Sequence, residues 1–215
     1  MKRIGIILWM VFFLNIIVNA QVNDPKAVAI LDKVVAKIKT FSSMKIDFTY
    51  KLENKKEKLN ETQKGTITIK GNKFHLEVKG QHIYCDGKTV WTFIPDAEEV
   101  QVNNLDPKND DAINPNTLLA TWQKNYRAKL IRETKEKGVV LQFIDLVPIK
   151  GKSYFKVRLV IDKDKQQIAR SEVYDKNGSV YTYQVDKFIP NVKVTDADFA
   201  FNPAKHPGIE VNDMR

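Results

Sequence analysis

The period of the hydrophobic residues changes three times along the chain. From Asp24 to Lys39 they recur every three or four residues. Val28, Leu31, Val34, Val35 and Ile38 form an apolar stripe, bordered by Lys26, Asp32, Lys33, Lys37 and Lys39. That spacing predicts an amphipathic helix, with Asp24 as N-cap and Pro25 at the first helical position. At Met44 the period falls to two. Met44, Ile46, Phe48, Tyr50 and Leu52 point one way; Lys45, Asp47, Thr49 and Lys51 point the other. Residues 53–63 are polar and read as a loop. Ile67 and Ile69 mark a second strand and Gly71-Asn72 a turn. Phe74, Leu76 and Val78 then alternate with His75 and Glu77.

The stretch Ile83 to Val102 is the densest part of the pattern. It predicts three short strands joined by turns at Asp86-Gly87 and Pro95-Asp96. Trp91 and Phe93 alternate with Val90 and Thr92, so one face of this strand carries two large rings. A loop rich in Asp, Asn and Pro follows from Asn103 to Asn114. Pro115 opens a second helix, roughly to Lys124, with Leu118, Leu119 and Trp122 on one face. Strands resume over 128–132, 139–144, 155–161, 168–174 and 180–188. Asp162-Lys163-Asp164 and Lys176-Asn177-Gly178 are the turns between the last three. Phe199 and Phe201 read as a final short strand before a tail containing Pro and Gly.

Ten or eleven short strands joined by tight turns, with two helices, predict a mainly β (α+β) fold built on an antiparallel meander. Two helices cannot cover both faces of such a sheet, so one face is expected to be solvated. The other is expected to curl around the helices and an apolar hollow, a shape that suits lipid-like ligands.

Composition narrows the function. Met1-Lys2-Arg3, the apolar run Ile4–Val18 and Val-x-Ala before Gln21 describe a cleavable export signal over residues 1–20, leaving one domain over 21–215. The formal net charge is +9, of which Lys2 and Arg3 contribute two. An export signal argues against nucleic acid as the partner of this charge, and the basic residues lie on alternating strand positions that suit a solvated face. The single Cys85 excludes an internal disulfide, and its apolar strand predicts a buried, inert thiol. His75, His82 and His206 show no metal-ligand spacing in the sequence, and His75 is expected to face solvent. There is no nucleophile elbow. Gly87-Lys88-Thr89 resembles the end of a phosphate loop, but His82 stands where that loop needs Gly and a strand follows in place of a helix. No enzyme, cofactor or metal is expected.

The ordered set of motifs resembles the periplasmic outer-membrane lipoprotein carrier family, LolA. It includes Phe41-Ser42-Ser43 leading into Asp47-Phe48-Thr49, and Gly65-Thr66-Ile67 with Ile69-Lys70-Gly71. Asp86-Gly87-Lys88-Thr89-Val90-Trp91 with Pro95 and Glu99-Val100 is its most specific part. Asn114-Pro115 before Leu118-Leu119, Asp175 with Gly178, and the ending from Phe199 to Arg215 complete it. The resemblance implies a single curved antiparallel sheet forming an incomplete β-barrel, with helices as a lid over an apolar cavity. It implies a soluble, monomeric periplasmic carrier that shields the acyl chains of lipoproteins. An inner-membrane ABC transporter would release the cargo and an outer-membrane acceptor would receive it. The alternative is a carrier or sensor of another amphiphile on the same fold. Alternation and the family's cavity strands together nominate Met44, Ile46, Phe48, Phe74, Leu76, Val78, Trp91, Phe93, Leu118, Leu119, Trp122 and Phe143 as cavity residues. A shift of one residue would give Val90 the inward place of Trp91. The chain departs from the family in two places: Gly71 stands where many members have Arg before a Pro, and Leu76 where they have Trp. Lid closure is therefore expected to rest on Leu118, Leu119 and Trp122 packing onto strand aromatics.

Overall fold

The computed structural model describes residues 23–106 and 115–215. The expected export signal over residues 1–20 and residues 107–114 of the predicted loop lie outside them. The α-helices among the described residues are α1 (Pro25–Ile38) and α2 (Pro115–Asn125). The first six strands are β1 (Met44–Asn54), β2 (Leu59–Lys70), β3 (Lys73–Val78), β4 (Gln81–Cys85), β5 (Thr89–Ile94) and β6 (Glu99–Asn104). The rest are β7 (Tyr126–Glu136), β8 (Val139–Pro148), β9 (Tyr154–Asp162), β10 (Gln167–Asp175), β11 (Val180–Pro190) and β12 (Glu210–Asp213).

The twelve strands among the described residues belong to one open sheet, in the order β12-β6-β5-β4-β3-β2-β1-β11-β10-β9-β8-β7. Neighbours run antiparallel except β12, which pairs parallel with β6. The sheet thus consists of two meanders, β1–β6 and β7–β11, joined where β1 meets β11. Bulges at Asp47/Phe48, Leu130/Arg132, Ile168/Arg170 and Tyr174/Asp175 interrupt the ladder, and bulges bend the strands that carry them.

Two readings of the sequence need correction here. Residues 59–63 are strand, not loop, because β2 pairs with β1 as far as Leu59 opposite Asn54. Both strands project polar side chains there, so backbone pairing sets the structure and leaves no alternation to read. Asn54 closes this hairpin by accepting from the backbone N–H groups of Lys56 and Glu57. The last strand is β12, whereas Phe199 ends a 3-10 turn (Asp196–Phe199) and Phe201 lies outside any element.

Residues paired across a sheet share a face, so the register sorts the side chains into two surfaces. Call the inner face the one that α1 and α2 cover. Ala27, Leu31 and Val34 of α1 and Leu118, Leu119 and Trp122 of α2 are buried there. Their core includes Tyr126, Ala128, Ile144, Leu146, Tyr154, Val157, Leu159, Ile161 and Val173 from β7–β10. Asp24 anchors α1 to the edge strand. One carboxylate oxygen accepts from the Lys26 N–H at 2.9 Å, the other from the Leu130 N–H of β7 at 3.1 Å. These hydrogen bonds, the Lys26 N–H first, hold its carboxyl below the ordinary value of 3.8. Helix α2 passes directly into β7, and the Tyr126 and Tyr154 hydroxyls share a buried hydrogen bond of 2.5 Å.

The outer face is not simply solvated. Residues 191–215 form a strap across the outer side of β2–β6. Asn191 starts it, donating its N–H to the Ser43 carbonyl and accepting from the Ser42 N–H. Asp196 pairs with Lys73 at 2.9 Å and Lys70 at 3.4 Å. Phe199 is fully buried and Phe201 nearly so. Beyond them β12 extends the sheet, with Asn212 donating to Glu99 at 2.9 Å.

Candidate functional site

Where the helices stop, the inner face continues across β11 and β1–β5. Its apolar positions follow from the ladder. Ile46 lies opposite Phe188 and Ile67, Met44 opposite Ile69, and Phe48 opposite Gly65. Ile67, Ile69 and Gly65 in turn face Leu76, Phe74 and Val78. Phe74 and Leu76 face Cys85 and Ile83, which face Val90 and Thr92. Met44, Ile69 and Cys85 are buried, whereas Ile46, Phe48, Ile67, Phe74, Leu76, Val78, Ile83 and Val90 remain half-buried. A contiguous apolar surface left half open is uncommon on a water-soluble chain and marks a binding surface.

Gly65 shapes this surface. A Cβ there would lie 2.6 Å from the ring of Phe48 and 2.8 Å from the carbonyl oxygen of Glu77. The bare backbone lets Phe48 lie flat across β2. Beside it Tyr50, Tyr181 and Tyr183 bring three phenols onto the same face. Tyr50 and Tyr183 have ring centroids 5.2 Å apart, Tyr50 and Tyr181 6.5 Å. Tyr183 keeps 39% of its surface exposed, yet desolvation by its apolar surroundings, then Tyr50 and Tyr181, push its phenol up to about 12. Burial likewise raises the phenol of Tyr50, so Tyr50 and Tyr183 are neutral hydrogen-bonding groups at physiological pH.

The structure therefore unites Met44, Ile46, Phe48, Phe74, Leu76 and Val78 on the inner face, with Leu118, Leu119 and Trp122 buried on its helix-covered part. It separates Trp91, Phe93 and Phe143 from them. Trp91 pairs with Tyr84 and Val102, and Phe93 with His82 and Val100, all on the outer face. The one-residue alternative is the observed one, and Val90 takes the inward place. The Asp86-Gly87 turn sets this register. Asp86 accepts from the Lys88 and Thr89 N–H groups at 2.8 Å, and Gly87 adopts φ +96° with Asn72 packed against it. Phe143 lies on the outer face opposite Val160, with the Arg132 guanidinium 4.1 Å above its ring. A charged roof surrounds it, in which Asp145 accepts from Arg158 at 2.6 and 3.0 Å and meets Lys156 at 3.3 Å.

All three histidines of the chain lie on the outer side of the sheet, His75 and His82 on β3 and β4 and His206 on the strap. His75 stacks on Tyr84 at 4.1 Å, and His206 stacks on Phe201 at 5.0 Å and lies 4.5 Å from Phe93. His75, Tyr84, Asp198, Phe201, Lys205 and His206 line a pocket of about 490 Å³ between sheet and strap. His75 is half-buried rather than solvent-facing, and burial lowers its pKa although Glu77 opposes the shift. Cys85 is buried, as expected, and burial pushes its thiol up.

The sequence profile of the outer membrane lipoprotein carrier protein LolA matches residues 39–202. The chain belongs to the LolA family. In this LolA-family chain the match begins just after α1 and ends before β12, so both of those elements lie outside it. No curated protein matches in sequence. Solved structures share the fold. An uncharacterised conserved protein from Thermus thermophilus is 15% identical, with 87% of this chain and 99% of that one covered and a TM-score of 0.56. The lipoprotein LppX of Mycobacterium tuberculosis is 13% identical, with 80% and 100% covered and a TM-score of 0.50. A LolA superfamily protein from Nitrosomonas europaea is 16% identical, with 81% and 97% covered and a TM-score of 0.45. Among the described residues, no helix of this LolA-family chain is long and apolar enough to cross a membrane.

Proposed function

We propose that this protein is an exported, periplasmic carrier that shields the acyl chains of lipoproteins between the inner and outer membranes and catalyses no reaction. The observation that supports this reading best is the half-buried apolar surface of β11 and β1–β5, which the helices leave uncovered. Transfer of an acylated protein through water is opposed by about 0.8 kcal/mol for each methylene exposed. A broad apolar strip offsets that cost without requiring one fixed ligand shape. An inner-membrane ABC transporter supplies the cargo and an outer-membrane acceptor takes it. Energy for extraction comes from the donor, since no nucleotide-binding motif is present in the chain.

A second reading is a carrier or sensor of another amphiphile. Tyr50, Tyr181 and Tyr183 favour it, because three phenols on an apolar face suit a ligand with polar groups along its length. Native mass spectrometry after gentle purification separates the two. A bound acylated protein supports the first reading, a bound free lipid the second. An empty chain that also fails to bind a triacylated peptide added at micromolar concentration would sink both.

A further inference from the structure

His75 and Glu77 are two residues apart on β3, so both project from the outer face. His82 lies on β4 directly opposite Glu77. The ligand atoms of these three residues lie within 4.8 Å of one another. His75 Nε2 is 3.5 Å from Glu77 Oε1. A four-coordinate ion with bonds of about 2.0–2.1 Å spaces its ligands about 3.3 Å apart, so this pair already has the right separation. His82 is half-buried and Glu77 exposed, so both have room to turn inward. His75 Nε2 is itself buried and makes no hydrogen bond. A buried nitrogen that makes no hydrogen bond is unfavourable, and a bound cation would satisfy its lone pair. The 4.1 Å stack on Tyr84 holds the plane of the His75 ring, as an outer shell holds a ligating imidazole.

We propose that His75, Glu77 and His82 form a binding site for one divalent transition-metal ion of the zinc class, with water completing the coordination. Two imidazole nitrogens and one carboxylate oxygen suit Zn²⁺, Ni²⁺ or Cu²⁺ and not the all-oxygen preference of Mg²⁺ or Ca²⁺. The exposed Glu77 gives the ion its route from solvent. Once bound, it ties β3 to β4 beside the strap, on the opposite face from the apolar surface. The site is therefore independent of what that surface carries.

The test is calorimetric titration of the chelator-treated chain with Zn²⁺, and with Mg²⁺ for comparison. One Zn²⁺ per chain is expected, with no heat from Mg²⁺. His82→Asn and Glu77→Gln should each weaken Zn²⁺ binding at least tenfold, while His206→Asn should leave it within about twofold. Both ligand variants change half-buried or exposed side chains, and circular dichroism checks that they fold. With Co²⁺ as the probe, the visible ligand-field absorption of the parent should be lost in His82→Asn. Saturating Zn²⁺ should raise the melting temperature of the parent and leave that of His82→Asn unchanged. No binding at all, or affinity that survives both His82→Asn and Glu77→Gln, would overturn the assignment.

Discussion

Phe48 can lie across β2 only because position 65 has no side chain. Gly65→Ala would place a methyl group against both the Phe48 ring and the Glu77 carbonyl, and the carbonyl belongs to the sheet and cannot swing away. The expected cost is about 1–3 kcal/mol, read from the denaturant midpoint, with a loss of acyl-ligand affinity as Phe48 is displaced. The two faces give a sharper comparison at single residues. Leu76→Asn puts a polar amide in the half-buried inner strip. It should weaken binding of a fluorescent acyl probe at least tenfold while moving stability by about 1 kcal/mol or less. Trp91→Ala acts on the other side of the sheet. It should cost about 2 kcal/mol of stability, since the ring is only partly buried, and leave probe affinity near that of the parent. Equal effects of the two variants on affinity would show that the register does not decide which side takes the ligand.

The helices and the strap differ in how their positions are held. Asp24 both caps α1 and accepts from the Leu130 N–H of β7, so Asp24→Ala should cost about 1 kcal/mol and speed hydrogen exchange in α1 more than in β9. Trp122 is 2% exposed and shares its core with Leu146 and Leu159. Trp122→Ala should therefore lower global stability by about 3–5 kcal/mol, seen as one cooperative shift of the unfolding curve. These contrasts also explain what could be read in advance. Strands with one apolar face, such as β1 and β3, declare themselves by alternation. The helix stripes do so by their three- and four-residue spacing. β2 was half hidden because Asn60 to Lys64 pair through the backbone with no buried face to pattern them. β5 carries apolar groups on both faces, since Val90 and Ile94 look inward while Trp91 and Phe93 look outward, so its alternation could not say which set met the ligand. The strap was illegible for a different reason. Its buried anchors Phe199 and Phe201 sit in a turn and an irregular segment, which leave no period to detect. His75, Glu77 and His82 come together only through the β3–β4 register, and no spacing in the sequence announces that.

At the scale of the whole molecule, one curved sheet carries two unlike surfaces, and the strap covers the part of the outer one that holds Tyr84 and Phe93. Its exposed ion pair sets a pH limit. Lys73 first, then Lys70, hold the Asp196 carboxyl below its ordinary 3.8. A depressed folded value means that the contribution is present above 3.8 and is lost as the pH falls through the lower folded value. Proteolysis within residues 196–206 should thus be flat around neutral pH and rise only in stronger acid. Asp198, whose carboxyl is held down by its hydrogen bonds from Thr195, contributes to the same step, so Asp196→Asn should reduce it and high salt should blunt it. Removing residues 191–215 should expose Val100, Val102 and Phe93 and make the remaining chain self-associate, as seen by light scattering. The order of the strands has a consequence in time as well as in space. The central joint of the sheet sets Met44 against Pro190, and its far edge sets Glu99 against Glu210. Neither pairing exists until nearly all of the chain is available. Pairings between such distant residues form slowly, on the scale of milliseconds to seconds. That delay suits the export proposed for this chain, because the first half cannot complete its final sheet before the second half is available.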